Sequence, residues 1–121
     1  MPTIDQLLED GVLPIATAKV TFLPISDGGR SQMPQLTGTY RPHIVFSNHT
    51  STSSELRLDL GVQFVEGTNS GELGQSYECK IAFMYHDRID YSDAKPNATF
   101  RIHEGSRIVG FGEIISVVFP N

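Results

Sequence analysis

The sequence predicts an all-β protein, a closed six-stranded Greek-key-type barrel with a short N-terminal helix. Three observations support this fold class. The chain has 121 residues, of which 39% are hydrophobic, which suffices for one core but not for two conventional domains. Polar and apolar residues alternate in about six segments separated by turn residues. No second helical pattern follows the first, and closing a sheet into a barrel removes its exposed edges.

Residues 1–14 are predicted to form a helical extension that precedes a barrel of residues 15–121. Thr3 and Gln6 have the spacing of a capping box, and Gly11 is placed to end the helix. The apolar face of this helix would consist of Ile4, Leu7 and Leu8.

The first two strands are predicted at residues 17–22 and 40–46. In the first, small or apolar residues alternate with Thr and Lys, as in a half-buried strand. Residues 27–29, Asp-Gly-Gly, then form a turn. Pro42 is compatible with the second strand only near its start or at an edge.

Residues 56–64 form the most regular strand pattern of the chain. The alternation predicts that Val62 faces the core and that Gln63 faces solvent. A register slip of one residue would expose the whole apolar set, so this strand should anchor the core.

Three further strands are predicted at residues 77–84, 98–103 and 107–119. In the first of them Cys79 should face the core. The last strand carries apolar residues on both sides, which predicts that both faces are partly covered. Gly110 and Gly112 should mark a bend or bulge within it.

Charge and composition limit the function classes. The formal net charge is −5, whereas a protein that binds nucleic acid in bulk should be basic. The single cysteine excludes an internal disulfide and a cysteine-based zinc cluster. No apolar run is long enough to cross a membrane, and the N-terminus lacks the regions of a secretory signal. A cytoplasmic protein with no membrane partner is therefore expected.

Three segments carry a resemblance to a known family. Residues 18–30 contain an opening strand that ends in an Asp-Gly-Gly-Arg turn. Residues 38–43 read Gly-Thr-Tyr-Arg-Pro-His, and residues 100–112 read Phe-Arg-Ile-His-Glu-Gly-Ser-Arg-Ile-Val-Gly-Phe-Gly. In order and spacing these segments resemble the C-terminal, third β-barrel domain of translation elongation factor Tu. The resemblance covers residues 16–119 and implies a six-stranded barrel.

The resemblance also implies roles for two residues. Arg30 and Gly105 stand where that family contacts the tRNA backbone, Arg30 through a phosphate and Gly105 by admitting the backbone closely. The alternative is that Arg30 is a solvated turn residue and that Gly105 is a hairpin residue with positive φ.

The chain departs from the family pattern in three places. The family's acidic-Gly-Val-Glu-Met-Val-Met-Pro-Gly-Asp segment before the fourth strand is represented only by residues 60–65, and the loop 88–97 is longer than its counterpart. The GTPase domain and middle barrel are missing, and no phosphate-binding loop is present. No GTP binding is therefore expected, and the tRNA affinity of a lone barrel should be weak.

The candidate binding surface combines the motif residues of the three segments. It consists of Arg30, Tyr40, Arg41, His43, Gly105 and Arg107. Arg41 and Arg107 have an alternative structural role, in which their stems cover the barrel and their guanidinium groups pair with a carboxylate such as Glu104.

No catalytic, cofactor or metal site is predicted. The four histidines lack metal-ligand spacing, and no nucleophile-elbow motif is present. Asp87, Asp90 and Asp93 lack the ligand order of a calcium loop and are interpreted as solvated loop charge.

The sequence therefore predicts a stand-alone, non-catalytic binding module of the elongation factor Tu third-domain type. Its predicted partner is a protein of unknown identity. The alternative is a translation-linked protein that binds tRNA or another RNA.

Overall fold

The structure is a computed structural model that describes residues 14–47, 60–83 and 94–118. Six antiparallel strands close into a barrel, which confirms the predicted all-β class. The strands are β1 Ile15–Phe22, β2 His43–Phe46, β3 Leu60–Glu66, β4 Ser76–Phe83, β5 Thr99–Glu104 and β6 Arg107–Val118.

The described residues contain one short 3-10 turn, Ile25–Asp27, and no α-helix. The predicted N-terminal helix falls within residues 1–13, outside the described part of the chain, so it stays a prediction. In the same described ranges no helix has the length and apolar character needed to span a bilayer.

The strand order around the barrel is β1-β4-β3-β2-β5-β6. Strands β2, β3 and β4 are neighbours in sequence order, whereas β1 lies beside β4, which is a Greek-key order. Because β1 also pairs with β6, each strand has a partner on both sides. None of the six described strands therefore presents a free edge.

The core is formed by the inward side chains of all six strands. Phe22, Phe64, Phe83 and Phe100 are its largest fully buried apolar residues. Burying one such side chain is worth about 1.5 to 3 kcal/mol, so this set dominates the stability of the barrel. Cys79 is 3% exposed and packs within the core, as predicted.

Gln63 departs from the prediction. Its alternation with Val62 and Phe64 places it on the outer side of β3, yet it is 0% exposed. Its Nε2 donates a hydrogen bond to the carbonyl oxygen of Gly38, while no described residue donates to its Oε1. The expectation of a solvent-facing side chain is wrong because strand periodicity assigns a residue to a face but does not reveal what covers that face.

The segment before β2 runs along β3 and continues its pairing. The amide of Phe64 donates to the carbonyl of Tyr40 (2.9 Å), and that of Val62 donates to the carbonyl of Pro42 (3.2 Å). The amide of Gly38 donates in turn to the carbonyl of Phe64 (2.7 Å). The predicted strand 40–46 is therefore assigned as a strand only from His43, but Tyr40 is still held by β3.

Strand β6 contains two bulges. Gly110 lies opposite Ile102 and Ile108 opposite His103, so Val109 is an extra residue on β6. Ile114 and Ser116 lie opposite consecutive β1 residues, which leaves Ile115 as the second extra residue. The predicted bulge is present beside Gly110 rather than at it, and the second one was not predicted.

The two glycines of β6 permit close packing. A Cβ atom on Gly110 would lie 2.6 Å from the carbonyl oxygen of Thr21, and one on Gly112 would lie 2.5 Å from the ring of Phe100. Their neighbour Phe111 points outward and is 49% exposed. The outer side of β6 is therefore more exposed to solvent than the sequence pattern predicts. Its other exposed apolar residues are Ile108, Ile115 and Val118.

Candidate functional site

A tight turn at the end of β1 positions Arg30. Gly28 has φ 83°, in the region that favours glycine, and a Cβ on Gly29 would lie 2.0 Å from the carbonyl oxygen of Leu23. The amide of Arg30 then donates to that same carbonyl (2.9 Å). The Asp-Gly-Gly-Arg motif therefore folds back on the strand end and fixes the backbone of Arg30.

Arg30, Tyr40 and Glu104 form one hydrogen-bonded group, called here the Arg30 cluster. The Nη1 of Arg30 forms an ion pair with Oε2 of Glu104, and the Tyr40 hydroxyl donates to that oxygen (2.6 Å). The Nε of Arg30 donates to the carbonyl of Gln32 (2.8 Å). The guanidinium carbon also lies 5.4 Å from the centroid of the Tyr40 ring, within cation–π range.

The cluster is partly shielded from solvent, with the side chains of Arg30 and Glu104 only 25% and 32% exposed. Burial raises the pKa of the Tyr40 phenol above its ordinary range, and its hydrogen bond to Glu104 acts in the same direction. The phenol therefore remains a neutral donor to the carboxylate. The charge of Arg30 is balanced by Glu104 within the molecule.

The Tyr40 ring joins this cluster to the core. Its centroid lies 5.7 Å from that of Phe22 and 5.3 Å from that of Phe64, in edge-on and tilted arrangements. Such aromatic pairs add about 0.5 to 1.5 kcal/mol beyond the area that they bury. The cluster therefore stabilises one end of the barrel through an ion pair, a hydrogen bond and aromatic packing.

Two other predicted site residues lie next to this cluster. Gly105 follows Glu104 in the β5–β6 turn and has φ 62°, which confirms its interpretation as a hairpin residue with positive φ. Arg107 is exposed, and its Nη1 lies 3.5 Å from the carbonyl oxygen of Gly29. Glu104, the carboxylate named for the alternative structural role of Arg41 and Arg107, pairs with Arg30 instead.

The remaining two predicted residues are not part of the cluster. Arg41 is exposed and forms no hydrogen bond or ion pair within residues 14–47, 60–83 and 94–118. His43 begins β2, is exposed, and lies opposite His103, the residue before Glu104. The structure therefore brings four of the six predicted residues to one place and leaves Arg41 and His43 at its margin.

A second surface was missed by the sequence analysis. A recess of about 450 Å³ opens on the outer wall of β1, β6 and β5, and we call it the outer recess. Its principal lining residues are Lys19, Thr21, Thr99, Arg101, Phe111 and Glu113. The only signal in the sequence was an aromatic residue between two glycines in β6, which by itself does not show exposure.

Strand register explains how these side chains meet. Phe111 lies opposite Thr21 on β1 and Arg101 on β5. Glu113 lies opposite Lys19 and Thr99 on the same two strands. Opposed residues of an antiparallel pair have Cβ atoms about 5 Å apart, so the two rows form a continuous surface.

The cations of the recess lie near carboxylates but form no close ion pair with a described residue. Lys19 lies opposite Glu113 on β6 and opposite Glu78 on β4. Neither Lys19 nor Arg101 forms an ion pair with any residue of the described ranges, whereas Arg30 and Lys80 do. Phe111 stands between them with half of its surface exposed. The recess therefore offers an aromatic surface flanked by two cations, neither of which is ion-paired within the part of the chain that the structure describes.

The described residues do not share the acidity of the whole chain. They contain six acidic residues, namely Asp27, Glu66, Glu72, Glu78, Glu104 and Glu113. They contain seven basic residues, namely Lys19, Arg30, Arg41, Lys80, Lys95, Arg101 and Arg107. The net charge of −5 therefore comes from the other segments, and it does not by itself describe the surface of the barrel.

In the described residues no group of three His, Cys, Asp or Glu side chains could hold a metal ion. The thiol of Cys79 is buried, and burial raises its pKa from 9.0 to about 12. It is therefore a protonated core residue at neutral pH rather than a nucleophile.

No protein-family model matches the chain, and the curated proteins compared with it include none similar enough in sequence to count as a match.

Proposed function

We propose that the chain forms a non-catalytic binding module, similar to the third domain of elongation factor Tu, that binds a protein partner in the cytoplasm. It would do so without GTP or a cofactor. The observation that carries this proposal is the exposure of Phe111 on the outer wall of the barrel, beside two cations, Lys19 and Arg101, that form no ion pair with any described residue. Exposed aromatic residues with an adjacent arginine are typical anchors of protein interfaces.

The state of Arg30 supports a protein partner over tRNA. A phosphate contact would require the guanidinium group to leave Glu104, with which it forms a partly buried ion pair. Releasing it would also leave the Glu104 carboxylate, which the Tyr40 hydroxyl contacts, without its cation. A residue held in this way is poorly available to a nucleic acid backbone.

The apolar surface of β6 extends beyond Phe111. Ile115 and Val118 are 47% and 69% exposed on the same strand. Several exposed apolar side chains in one element are typical of an interaction surface, whereas single ones are common on any protein. The partner is therefore expected to contact β6.

Affinity purification of the tagged full chain from its native host tests this proposal. Phe111→Ser should lose a specific co-purifying protein, while Ile25→Ser should retain it. Ile25 is a matched control because it is an exposed apolar residue, 67% accessible, in the 3-10 turn and not among the residues that line the outer recess.

Both variants should melt at the wild-type temperature, since each replaces an exposed side chain. Retention of the same protein by Phe111→Ser would contradict the proposed surface. Recovery of RNA in place of protein, abolished by ribonuclease, would restore the RNA-binding alternative.

A further inference from the structure

The side chains that line the outer recess restrict the chemical class of ligand that it can bind. We infer that it binds an acidic peptide segment of the partner that carries one bulky apolar side chain. This inference rests on the proposed function, because it names the chemistry of the partner that the module would recognise.

The apolar part of the inference comes from Phe111 and its surroundings. The recess holds about 450 Å³, within the range of sites that take a small organic group, and Phe100 and Gly112 also line it. Phe111 is about half exposed, so a side chain placed on it would bury apolar surface on both partners. An aliphatic or aromatic residue of a peptide fits this requirement.

The charged side chains of the recess indicate that the bound peptide is acidic. Lys19 and Arg101 line the recess and form no ion pair within the described ranges, while Glu113 is the one carboxylate among the described lining residues. The cations belong to β1 and β5, on either side of the β6 strand that carries Phe111. A peptide with carboxylates flanking its apolar residue would place one near each cation.

The polar lining suits a peptide backbone. Thr21 and Ser76 face each other across β1 and β4 with their hydroxyl oxygens 2.8 Å apart, and both line the recess. Glu113 can accept hydrogen bonds from backbone amides of a bound segment. Since each of the six described strands is paired on both sides, the segment cannot add to the edge of any of them and is recognised through such side chains.

Glu113 also weighs against a nucleic acid in the same place. Each nucleotide brings a phosphate charge, so a strand crossing the recess would meet this carboxylate. A peptide can space its carboxylates to avoid Glu113, and the near-neutral described surface does not supply the cation track that single-stranded nucleic acids use.

Fluorescence anisotropy with the full chain and four labelled probes tests the inference. The probes are a short Gly/Ser peptide with a central Phe and one Glu on each side of it, the same peptide with Ala for Phe, the same peptide with Lys for each Glu, and oligouridylate of similar length. Only the first should bind saturably. Replacing its Phe by Ala should weaken binding about tenfold, and raising the salt concentration should weaken it further.

Variants of the chain locate the binding site. Lys19→Ala and Arg101→Ala should each weaken binding about fivefold, the effect of one surface ion pair. Lys80→Ala is the matched control and should change nothing, because Lys80 is an exposed lysine on the neighbouring β4 strand and lies outside the recess. Equal losses in all three variants would overturn the inference, since they would report general charge attraction.

Three other results would also overturn it. These are tighter binding of oligouridylate than of the acidic peptide, no saturable binding of any probe, and self-association of the chain that Phe111→Ala abolishes. If the peptide probes fail while the native partner is still captured through Phe111, the proposed function stands and only the acidic-peptide chemistry is wrong. If capture is also independent of Phe111, both proposals fail.

Discussion

Arg30 and Glu104 lie 74 positions apart in the sequence, yet their side chains form an ion pair that joins the β1–β2 connection to the β5–β6 hairpin. The hydroxyl of Tyr40 donates to the same carboxylate, and its ring packs on Phe22 and Phe64 in the core. A residue that the family resemblance associates with tRNA therefore serves, in this chain, to hold two connections of the barrel together.

The ion pair should contribute measurably to stability. In a double-mutant cycle with Arg30→Ala and Glu104→Ala, we expect a coupling free energy of about 1 to 2 kcal/mol, because the pair is partly buried and hydrogen-bonded. Urea denaturation provides the measurement. The matched control is Lys80 and Glu66, a pair 3.5 Å apart whose side chains are 50% and 71% exposed. Its coupling should stay below about 0.5 kcal/mol, and equal couplings for the two pairs would show that the burial of the cluster has no energetic consequence.

The chain should not form a specific complex with aminoacyl-tRNA near physiological salt. One barrel offers few backbone contacts, and Arg30 is already neutralised by Glu104. Gel-shift titrations with charged and uncharged tRNA should show at most weak binding with a shallow dependence on salt. Arg30→Ala should leave that binding unchanged. Tight binding that prefers the charged form and disappears in Arg30→Ala would support the RNA-binding alternative instead.

Two neighbouring substitutions in β3 should both destabilise the barrel. Val62→Asp places a carboxylate in the core, at a cost of about 3 kcal/mol or more. The sequence pattern alone predicts that Gln63→Asp is mild. Because Gln63 is fully buried and donates to Gly38, we expect it to cost about 1 to 3 kcal/mol. Gln75→Asp, the same change at an exposed loop position, should be nearly neutral in thermal denaturation. A melting temperature for Gln63→Asp equal to that of Gln75→Asp would contradict the buried position.

The free energy of unfolding should fall as the pH rises above 9. The pKa of Cys79 is raised from 9.0 to about 12 in the folded protein, so the unfolded state loses this proton first. The stabilisation that the protonated Cys79 thiol provides is complete below pH 9 and is lost as the pH rises toward 12. Over that range this group lowers the free energy of unfolding by at most about 1.4 kcal/mol per pH unit. Tyr40, whose pKa is also raised, adds to the loss above its ordinary value of 10.0.

Urea unfolding at a series of pH values between 8 and 10 measures this slope. Cys79→Ala should lower stability at neutral pH by removing core contacts, but its slope between pH 9 and 10 should be smaller than that of the wild type. Identical slopes for the two proteins would show that the thiol is not protected in the folded state.

The barrel itself was predictable because its signals are local. Alternation in each strand depends only on neighbouring residues, and the Asp-Gly-Gly-Arg turn requires glycine where positive φ or close backbone contact excludes other residues. The prediction that Val62 faces the core is confirmed, because it also rests on local alternation.

The site was less predictable because it depends on contacts between distant segments. Glu104 could be named from the sequence as a carboxylate partner for Arg41 or Arg107, but its actual partner, Arg30, lies 74 positions away and no local pattern links the two residues. The exposure of Phe111 depends on the registers of β6 with β1 and β5, and no periodicity reveals those registers. The bulge at Ile115 likewise shifts which side of β6 its later residues occupy.

The position of β1 between β4 and β6 has a consequence for how the protein is made. The first strand can pair with β4 once the middle of the chain has been synthesised, but its other edge stays open until β6 emerges from the ribosome. Until then the nascent chain exposes an unpaired edge of the kind that promotes aggregation. Since pairing between strands that are far apart in the sequence forms slowly, the emergence of β6 should set the time at which the barrel becomes resistant to proteases.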